Sequence, residues 1–500
     1  MRILLVVIIL LTVRINAAVI NPAIELNQLS PDQWSANDVS QFKIIGKDKK
    51  DKFSLQLSGG EISQKCQHLE NNTNSRRTHL NGIVDTFYKV SAVVKGEGKI
   101  QVGVETIAAN GSSINWGGYL SLNGKGQELT LSGQEKNPLT IRHRVIFRLA
   151  ADSHCEITDP QMYYYQSPTN SLEVMPANVV AVPGGEIKIN LNLNLTKPSP
   201  VTVRSYSNIE GAQLISEETF QHGPFILKVP VDVKSDYRVA ISVPEYGISK
   251  LFFVQIVTKE QYDALNKTAG QIKLQSPLEA LVIGDSLTDF SRGFNYLDIV
   301  DFFVNMNGGR MNFRNYGVGG EYTTRVWKRI EALNGNGNPP VRQEMYRNLT
   351  AEKVNEVWIA LGSNDTRVSR KTDFKIPQVP RQEQEEAIRK IVNYFRRQNS
   401  KVRIVFIACP SHDFSSIEAR FKANPKSEVL FGVDEEIKHF NSALKKVAAE
   451  TGADYIDFYQ ATKDFTEKSK LFRPNDGVHL TSCGQQLLAL EILKYLTNRK

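Results

Sequence analysis

Apolar and polar positions follow three regimes along the chain. From residue 19 to about 165 there is no 3.6-residue period. Short segments such as Tyr88–Val94 and Lys99–Val104 alternate or run apolar between Gly- and Asn-rich turns, and His143–Leu149 and Cys155–Tyr165 close the series. Evenly spaced short strands broken by turn residues predict a β-sandwich. From about 170 to 258, Ile187–Leu195 alternates with period two, and Val201–Val203, Phe225–Val229, Tyr237–Val243 and Leu251–Val257 continue the pattern. Pro183-Gly184-Gly185 and Asn208–Gly211 supply turns, and the size suits a second, immunoglobulin-like sandwich. A polar stretch, Lys259 to Gln275, then links to a third part.

From 277 to 500 strands and helices alternate. Leu278–Ile283, Met311–Tyr316, Glu356–Leu361, Val402–Cys409 and Ala453–Phe458 read as buried strands. Ala387, Ile388, Ile391, Val392 and Phe395 form a helical stripe within Gln382–Gln398, as do Ile437, Phe440, Leu444 and Val447 within Val433–Glu450. A last helix is expected over Ser482–Thr497. This βαβ series predicts a parallel sheet covered by helices on both faces. The expected fold class is therefore multidomain, with two N-terminal β-sandwiches (19–165 and 170–258) ahead of an α/β domain (277–500).

The first residues add a compartment. Met1-Arg2 precedes an apolar run, Ile3–Val13, and small residues follow at Ala17-Ala18. The run is short for a bilayer span, and the pattern predicts a secretory signal peptide over 1–17. The whole chain carries a formal charge of +8, which falls to +6 without Arg2 and Arg14. The basic residues are dispersed, which suits an anionic cell-envelope surface and gives no motif for nucleic acid. Export permits disulfides: Cys66 and Cys155 are placed to close the N-terminal region, while for Cys409 and Cys483 of the last part a pair and two free buried thiols stand as alternatives. Asn71, Asn110, Asn194, Asn266 and Asn348 stand in Asn-x-Ser/Thr sequons, which matter only in a eukaryotic source.

In strand pattern, residues 19–165 resemble the jelly-roll carbohydrate-binding modules found beside secreted glycan-active enzymes. Trp116, Tyr119 and Tyr163-Tyr164-Tyr165 are the residues able to offer flat faces to sugar rings. The alternative is that these aromatics fill or cover a sandwich core.

The chemistry concentrates in the last part. Gly284-Asp285-Ser286-Leu287 follows a buried strand, so Ser286 stands at the carboxyl edge of the sheet, where open α/β folds hold ligands. Asn315-Tyr316-Gly317-Val318-Gly319-Gly320-Glu321 and Leu361-Gly362-Ser363-Asn364-Asp365 follow two further strands, and Asp476-Gly477-Val478-His479 precedes the last helix. A serine, a histidine and an aspartate are the parts that turn a weak hydroxyl into a nucleophile.

Taken together, the four blocks resemble the SGNH hydrolases, also called GDSL esterases, over residues 277–500. The resemblance implies a flavodoxin-like α/β domain with Ser286 as nucleophile, His479 as general base and Asp476 as its orienting partner. It implies an oxyanion hole from the Ser286 and Gly320 N–H groups and the Asn364 amide, with no cofactor. Metal binding by Asp476 and His479 is the alternative use of that loop, but no third ligand stands at a recognisable spacing. The expected reaction is ester hydrolysis through an acyl-enzyme. Two β-regions ahead of an enzyme suit a polymeric substrate, so O-acetyl esters on a polysaccharide or peptidoglycan-like polymer are the expected target. A lipase or lysophospholipase, or a secreted glycan-binding protein without activity, are the alternatives. The segment Ser411–Val433, with Phe414, Phe421 and Phe431, is either a cover for the pocket or a surface connection.

Overall fold

The computed structural model describes residues 23–24, 34–36, 42–47, 53–65, 82–108, 111–134, 137, 140–176, 178–207, 213–221, 223–233, 236–289, 294–338, 340, 343–346, 349–424 and 426–499. The expected signal peptide and Cys66 lie outside them. Among the described residues no helix is long and apolar enough to cross a membrane.

The N-terminal part is β-rich. Its frame is two long antiparallel strands, Gly82–Ala108 and His154–Met175, with Thr140–Leu149 and Gln127–Gln134 both pairing with the first. Alternation sends Val90, Val94, Val102, Val145, Phe147 and Ile157 into one core. Strand His154–Met175 runs straight through the interval 165–170 in which the sequence pattern ends the first region. Its pairing with the neighbouring strand shifts register between Ser167 and Ser171, and residues Ser171–Met175 then pair with Glu186–Asn194. A bulge bends a strand without ending it, which a hydrophobic pattern does not reveal.

The candidate sugar-stacking aromatics divide. The Trp116 ring lies over Gly103, and the Arg148 guanidinium stands 4.0 Å from its centroid, so its faces meet protein groups. Tyr119 is exposed. The side chains of Tyr163, Tyr164 and Tyr165 lie outside the described residues.

A second sheet has the order Val179–Ala181, Ile248–Ile256, Tyr237–Val243, Val201–Ser207, Leu214–Phe220. Its buried Val239, Ile241, Phe252 and Val254 share one apolar core with Leu297, Val300 and Phe303 of the α/β part. Polar contacts reinforce the junction: Asn178 donates to Asp298 at 2.8 Å, and Ser482 donates to Asp236 at 3.0 Å. The stretch expected as a polar linker is a helix, Lys259–Ala269, started by a Thr258/Gln261 capping box. Only Leu265 and Ala269 of it are buried, too few apolar positions to show helical periodicity.

The C-terminal sheet has five parallel strands in the order Met311–Gly317, Leu278–Gly284, Glu356–Ala360, Arg403–Ile407, Asp454–Ile456. In chain order this is 2-1-3-4-5, the flavodoxin-like arrangement. Helices Arg381–Gln398 and Asp434–Thr451 bury the expected stripes, including Ile388, Ile391, Phe440 and Leu444, and the expected last helix, Ser482–Asn498, buries Ile492. The strand order reverses beside Leu278–Gly284, which opens a crevice at its carboxyl end.

Cys155, Cys409 and Cys483 are free thiols, so of the two readings left open for Cys409 and Cys483 the thiol is the observed one. Cys409 follows strand Arg403–Ile407 by two residues and stands 3.8 Å from Ser363 Oγ, whereas Cys483 lies in the first turn of the last helix. Burial pushes the Cys155 thiol up to about 12 and the Cys409 thiol well above its ordinary value.

Candidate active site

Ser286 stands half-buried on the turn that leaves strand Leu278–Gly284. The turn is braced from within. The Asp285 carboxylate accepts the Leu287 N–H at 2.9 Å, and its carbonyl accepts the N–H groups of Thr288 and Asp289. The side-chain amides of Asn295 and Asn315 both donate to the Thr288 carbonyl, at 3.0 and 2.8 Å. A serine on such a frame has a fixed backbone, so its hydroxyl alone is free to reorient.

His479 arrives on the loop between helix Lys468–Leu471 and helix Ser482–Asn498. Its Nε2 lies 3.0 Å from Ser286 Oγ and its Nδ1 lies 2.8 Å from Asp476 Oδ2. The other Asp476 oxygen accepts the backbone N–H groups of Val478 and His479, both at 2.8 Å. Gly477, at φ 67°, allows this tight return, and a Cβ there would sit 2.5 Å from the Asp413 carbonyl. The Arg473 N–H closes the loop onto the His479 carbonyl at 2.7 Å. Burial opposes the Asp476 charge, but the hydrogen bonds from His479 and the two backbone N–H groups outweigh it and hold the carboxyl at about 2. Asp476 is thus ionised under ordinary conditions and keeps the Nδ1 proton of His479 directed at itself, which leaves Nε2 to accept from Ser286.

Hydrogen-bond donors line the cavity that holds this hydroxyl. Gly319 donates its N–H to Asp289 Oδ2 at 2.8 Å and is occupied. Among the described residues no acceptor takes the N–H of Ser286 or of Gly320. Gly320 has φ 84°, and its carbonyl is held by Arg325, which also pairs with buried Glu321 at 2.6 Å. Asn364 is buried, and its Nδ2 has no hydrogen-bond partner. A buried amide donor without a partner costs stability, so a site that keeps one holds a place for an acceptor. Next to it, Asp365 accepts both the N–H and the hydroxyl of Thr323, at 2.9 and 2.6 Å. Burial and the Asp285 charge push its carboxyl up to about 7 despite those bonds.

These groups open into one cavity of about 230 Å³, lined by Ser286, Gly320, Ser363, Asn364, Asp476 and His479 on one side. The other wall belongs to the segment 411–433. It is a helix, Phe414–Ala423, followed by a short strand, Val429–Leu430, that pairs with Val368–Ser369. Phe421 and Phe431 line the cavity, whereas Phe414 points to solvent. Of the two readings of this segment, the cover is the observed one.

The family model of the GDSL-like lipases/acylhydrolases matches residues 282–487. The C-terminal part of this chain is a GDSL-like lipase/acylhydrolase domain. That family places the domain among the ester hydrolases. The GDSL-like domain is similar to the lipase/acylhydrolase from Enterococcus faecalis, at 20% identity and a TM-score of 0.33 over 44% of this chain and 96% of that one. The N-terminal β-rich region is similar to the xylan-binding CBM22-1 domain from Paenibacillus barcinonensis, at 15% identity and a TM-score of 0.19 over 29% of this chain and 92% of that one. It is also similar to the module TmCBM61 solved with β-1,4-galactotriose, at 14% identity and a TM-score of 0.19 over 29% of this chain and 96% of that one. No curated protein matches the chain.

Several residues that shape the GDSL-like site carry no sequence signal of their own. Asp289 occupies the Gly319 N–H and so leaves Gly320 as the available donor. His412 is buried, with Nε2 4.0 Å from Cys409 Sγ, and its loop is pinned to the Asp476–His479 loop by the Asp413 N–H bond to the Gly477 carbonyl. Burial, then the neighbouring His479 and Lys468 charges, bring the His412 imidazole down to about 3. It is therefore neutral and lies behind the cavity lining. A lone histidine within a strand-end loop offers no pattern from which this role can be read.

Proposed function

We propose that the chain is an exported serine esterase that removes small acyl groups, acetyl above all, from a carbohydrate polymer. The single observation that carries the reading is the Asp476–His479–Ser286 hydrogen-bonded series, which ends at a cavity holding the unpartnered Asn364 amide. His479 Nε2 takes the Ser286 proton as Oγ attacks the ester carbonyl. The developing oxyanion is received by the Ser286 and Gly320 N–H groups and by Asn364 Nδ2. The ester C–O bond then breaks, and the alcohol leaves with the proton held on His479. A water, activated by the same imidazole, releases the acid and restores Ser286.

Size and lining support a small acyl group on a hydroxylated carrier. The cavity of about 230 Å³ falls below the range of about 300–1,000 Å³ usual for drug-sized ligands. Ser363, Asn424 and Ser427 give it polar edges. The β-rich region ahead of the enzyme would keep it on a polymer and raise the effective concentration of its ester groups. The apolar side chains Ile417, Phe421, Val429, Leu430 and Phe431 favour a second reading, a lipid ester. Export rests on the Met1–Ala18 pattern.

The test compares p-nitrophenyl acetate with p-nitrophenyl octanoate, and then measures acetate release from native acetylated polysaccharides. Turnover that favours acetyl and disappears in Ser286→Ala is the expected result. Preference for octanoyl would replace the reading with the lipid esterase. No Ser286-dependent turnover on any ester would leave a binding protein.

A further inference from the structure

The cavity is electrically one-sided. Its charged lining side chains, leaving His479 aside, are Asp476 and Arg420. Asp476 is fully engaged, by His479 through one oxygen and by two backbone N–H groups through the other. Arg420, on helix Phe414–Ala423, makes no ion pair among the described residues. This is unlike its surroundings, because its helix neighbour Lys422 reaches Glu418 at 3.1 Å and Arg325 reaches Glu321 at 2.6 Å.

A second guanidinium backs the same wall. Arg367 lies 5.9 Å from the ring of Phe431, a lining residue, and donates only to the neutral Gln378 at 3.2 Å, while its buried Nε has no partner. Burial, then the nearby Arg325, lowers its pKa. Two arginines without a paired carboxylate therefore stand on the side of the cavity opposite Ser286, and only Arg420 reaches its surface. An arginine offers a planar fork of donors that matches a carboxylate.

We infer that Arg420 determines specificity by binding a carboxylate carried by the substrate beside the scissile ester, as on an acidic sugar residue. This inference rests on the esterase reading and narrows it, from carbohydrate esters at large to those on acidic polymers. Arg420 is exposed and shares the cavity lining with Phe421 and Phe431, so a carboxylate can reach its fork from solvent.

The experiment uses the full chain and aryl acetates that carry a carboxylate at the meta or para position, each paired with its methyl ester. The leaving phenols differ in intrinsic reactivity, so the quantity read is the ratio of kcat/KM for acid over methyl ester in each variant. The expected result is that Arg420→Gln lowers this ratio about tenfold relative to wild type, through KM, and that Arg420→Lys retains part of it. Lys422→Gln removes the same charge from the same helix outside the cavity and keeps the wild-type ratio. A raised salt concentration shrinks the wild-type ratio and leaves that of Arg420→Gln flat. An unchanged ratio in Arg420→Gln, or an equal fall in Lys422→Gln, overturns the inference while turnover of the methyl esters leaves the esterase reading intact. Loss of Ser286-dependent turnover on both members of every pair overturns the esterase reading, and the inference with it.

Discussion

Asn364→Ala separates a catalytic donor from a structural one. In the folded chain the Asn364 amide nitrogen is buried and has no internal partner, so its truncation breaks no hydrogen bond at that nitrogen. A buried donor left unsatisfied costs roughly 1–3 kcal/mol. Removing it offsets the small cavity left by the shortened side chain, so the expected change in stability is within about 1 kcal/mol and of either sign. Activity should respond very differently. If the amide meets the oxyanion, its loss costs about 10²–10³ in kcat, with KM for the acetyl ester little changed. The assay is p-nitrophenyl acetate turnover at saturating substrate, run beside denaturant unfolding of the same preparations. Comparable turnover of mutant and wild type would refute the oxyanion assignment. A destabilisation above about 3 kcal/mol would refute the claim that the amide is held in reserve.

Two further substitutions test the scaffold. Asp365 has its carboxyl pushed up to about 7, so between its ordinary value and that pH the folded state keeps a proton that the unfolded state has released. Its contribution to stability is present at low pH and is lost as pH rises towards 7. Asp365→Asn preserves an acceptor for Thr323 and should therefore gain stability over wild type between pH 5 and pH 8, by at most about 4 kcal/mol; a pH-independent difference in urea unfolding would count against it. Gly477→Ala puts a Cβ 2.5 Å from the Asp413 carbonyl at a φ of 67°, so the loop must shift and take His479 with it. A fall of about 10²-fold in kcat is expected for a displacement near ~1 Å, and wild-type kinetics would show that the loop absorbs the change.

Three of the four motif blocks are local strings on strand ends, and strand ends are legible because parallel strands buried on both faces are continuous apolar runs; the fourth, Asp476–His479, lies on a loop between two helices. That is why the positions of Ser286, Gly320 and Asn364 at one sheet edge could be expected from the chain alone, whereas Asp476 and His479 are placed there only by the family resemblance. The helical stripes of 382–398 and 433–450 were legible for the same reason, since one face of each helix packs on the sheet. Helix Lys259–Ala269 was not, because burial of Leu265 and Ala269 alone leaves a polar segment whose only mark is its capping box. Nor was the continuity of strand His154–Met175 through 165–170, since pairing across a bulge depends on partners far away in sequence.

The sequence by itself determined the fold class of the C-terminal part and the identity of the groups able to do chemistry there, because both reside in periodicity and in short motifs. Tertiary structure decided how those groups are used. The 3.0 Å approach of Ser286 and His479 joins positions far apart in the chain. The occupation of Gly319 by Asp289, and the placement of Arg420 without a countercharge in the cavity wall, likewise depend on contacts between separate loops. Distances and unpaired charges are properties of packing, and packing arises between segments that no local pattern connects.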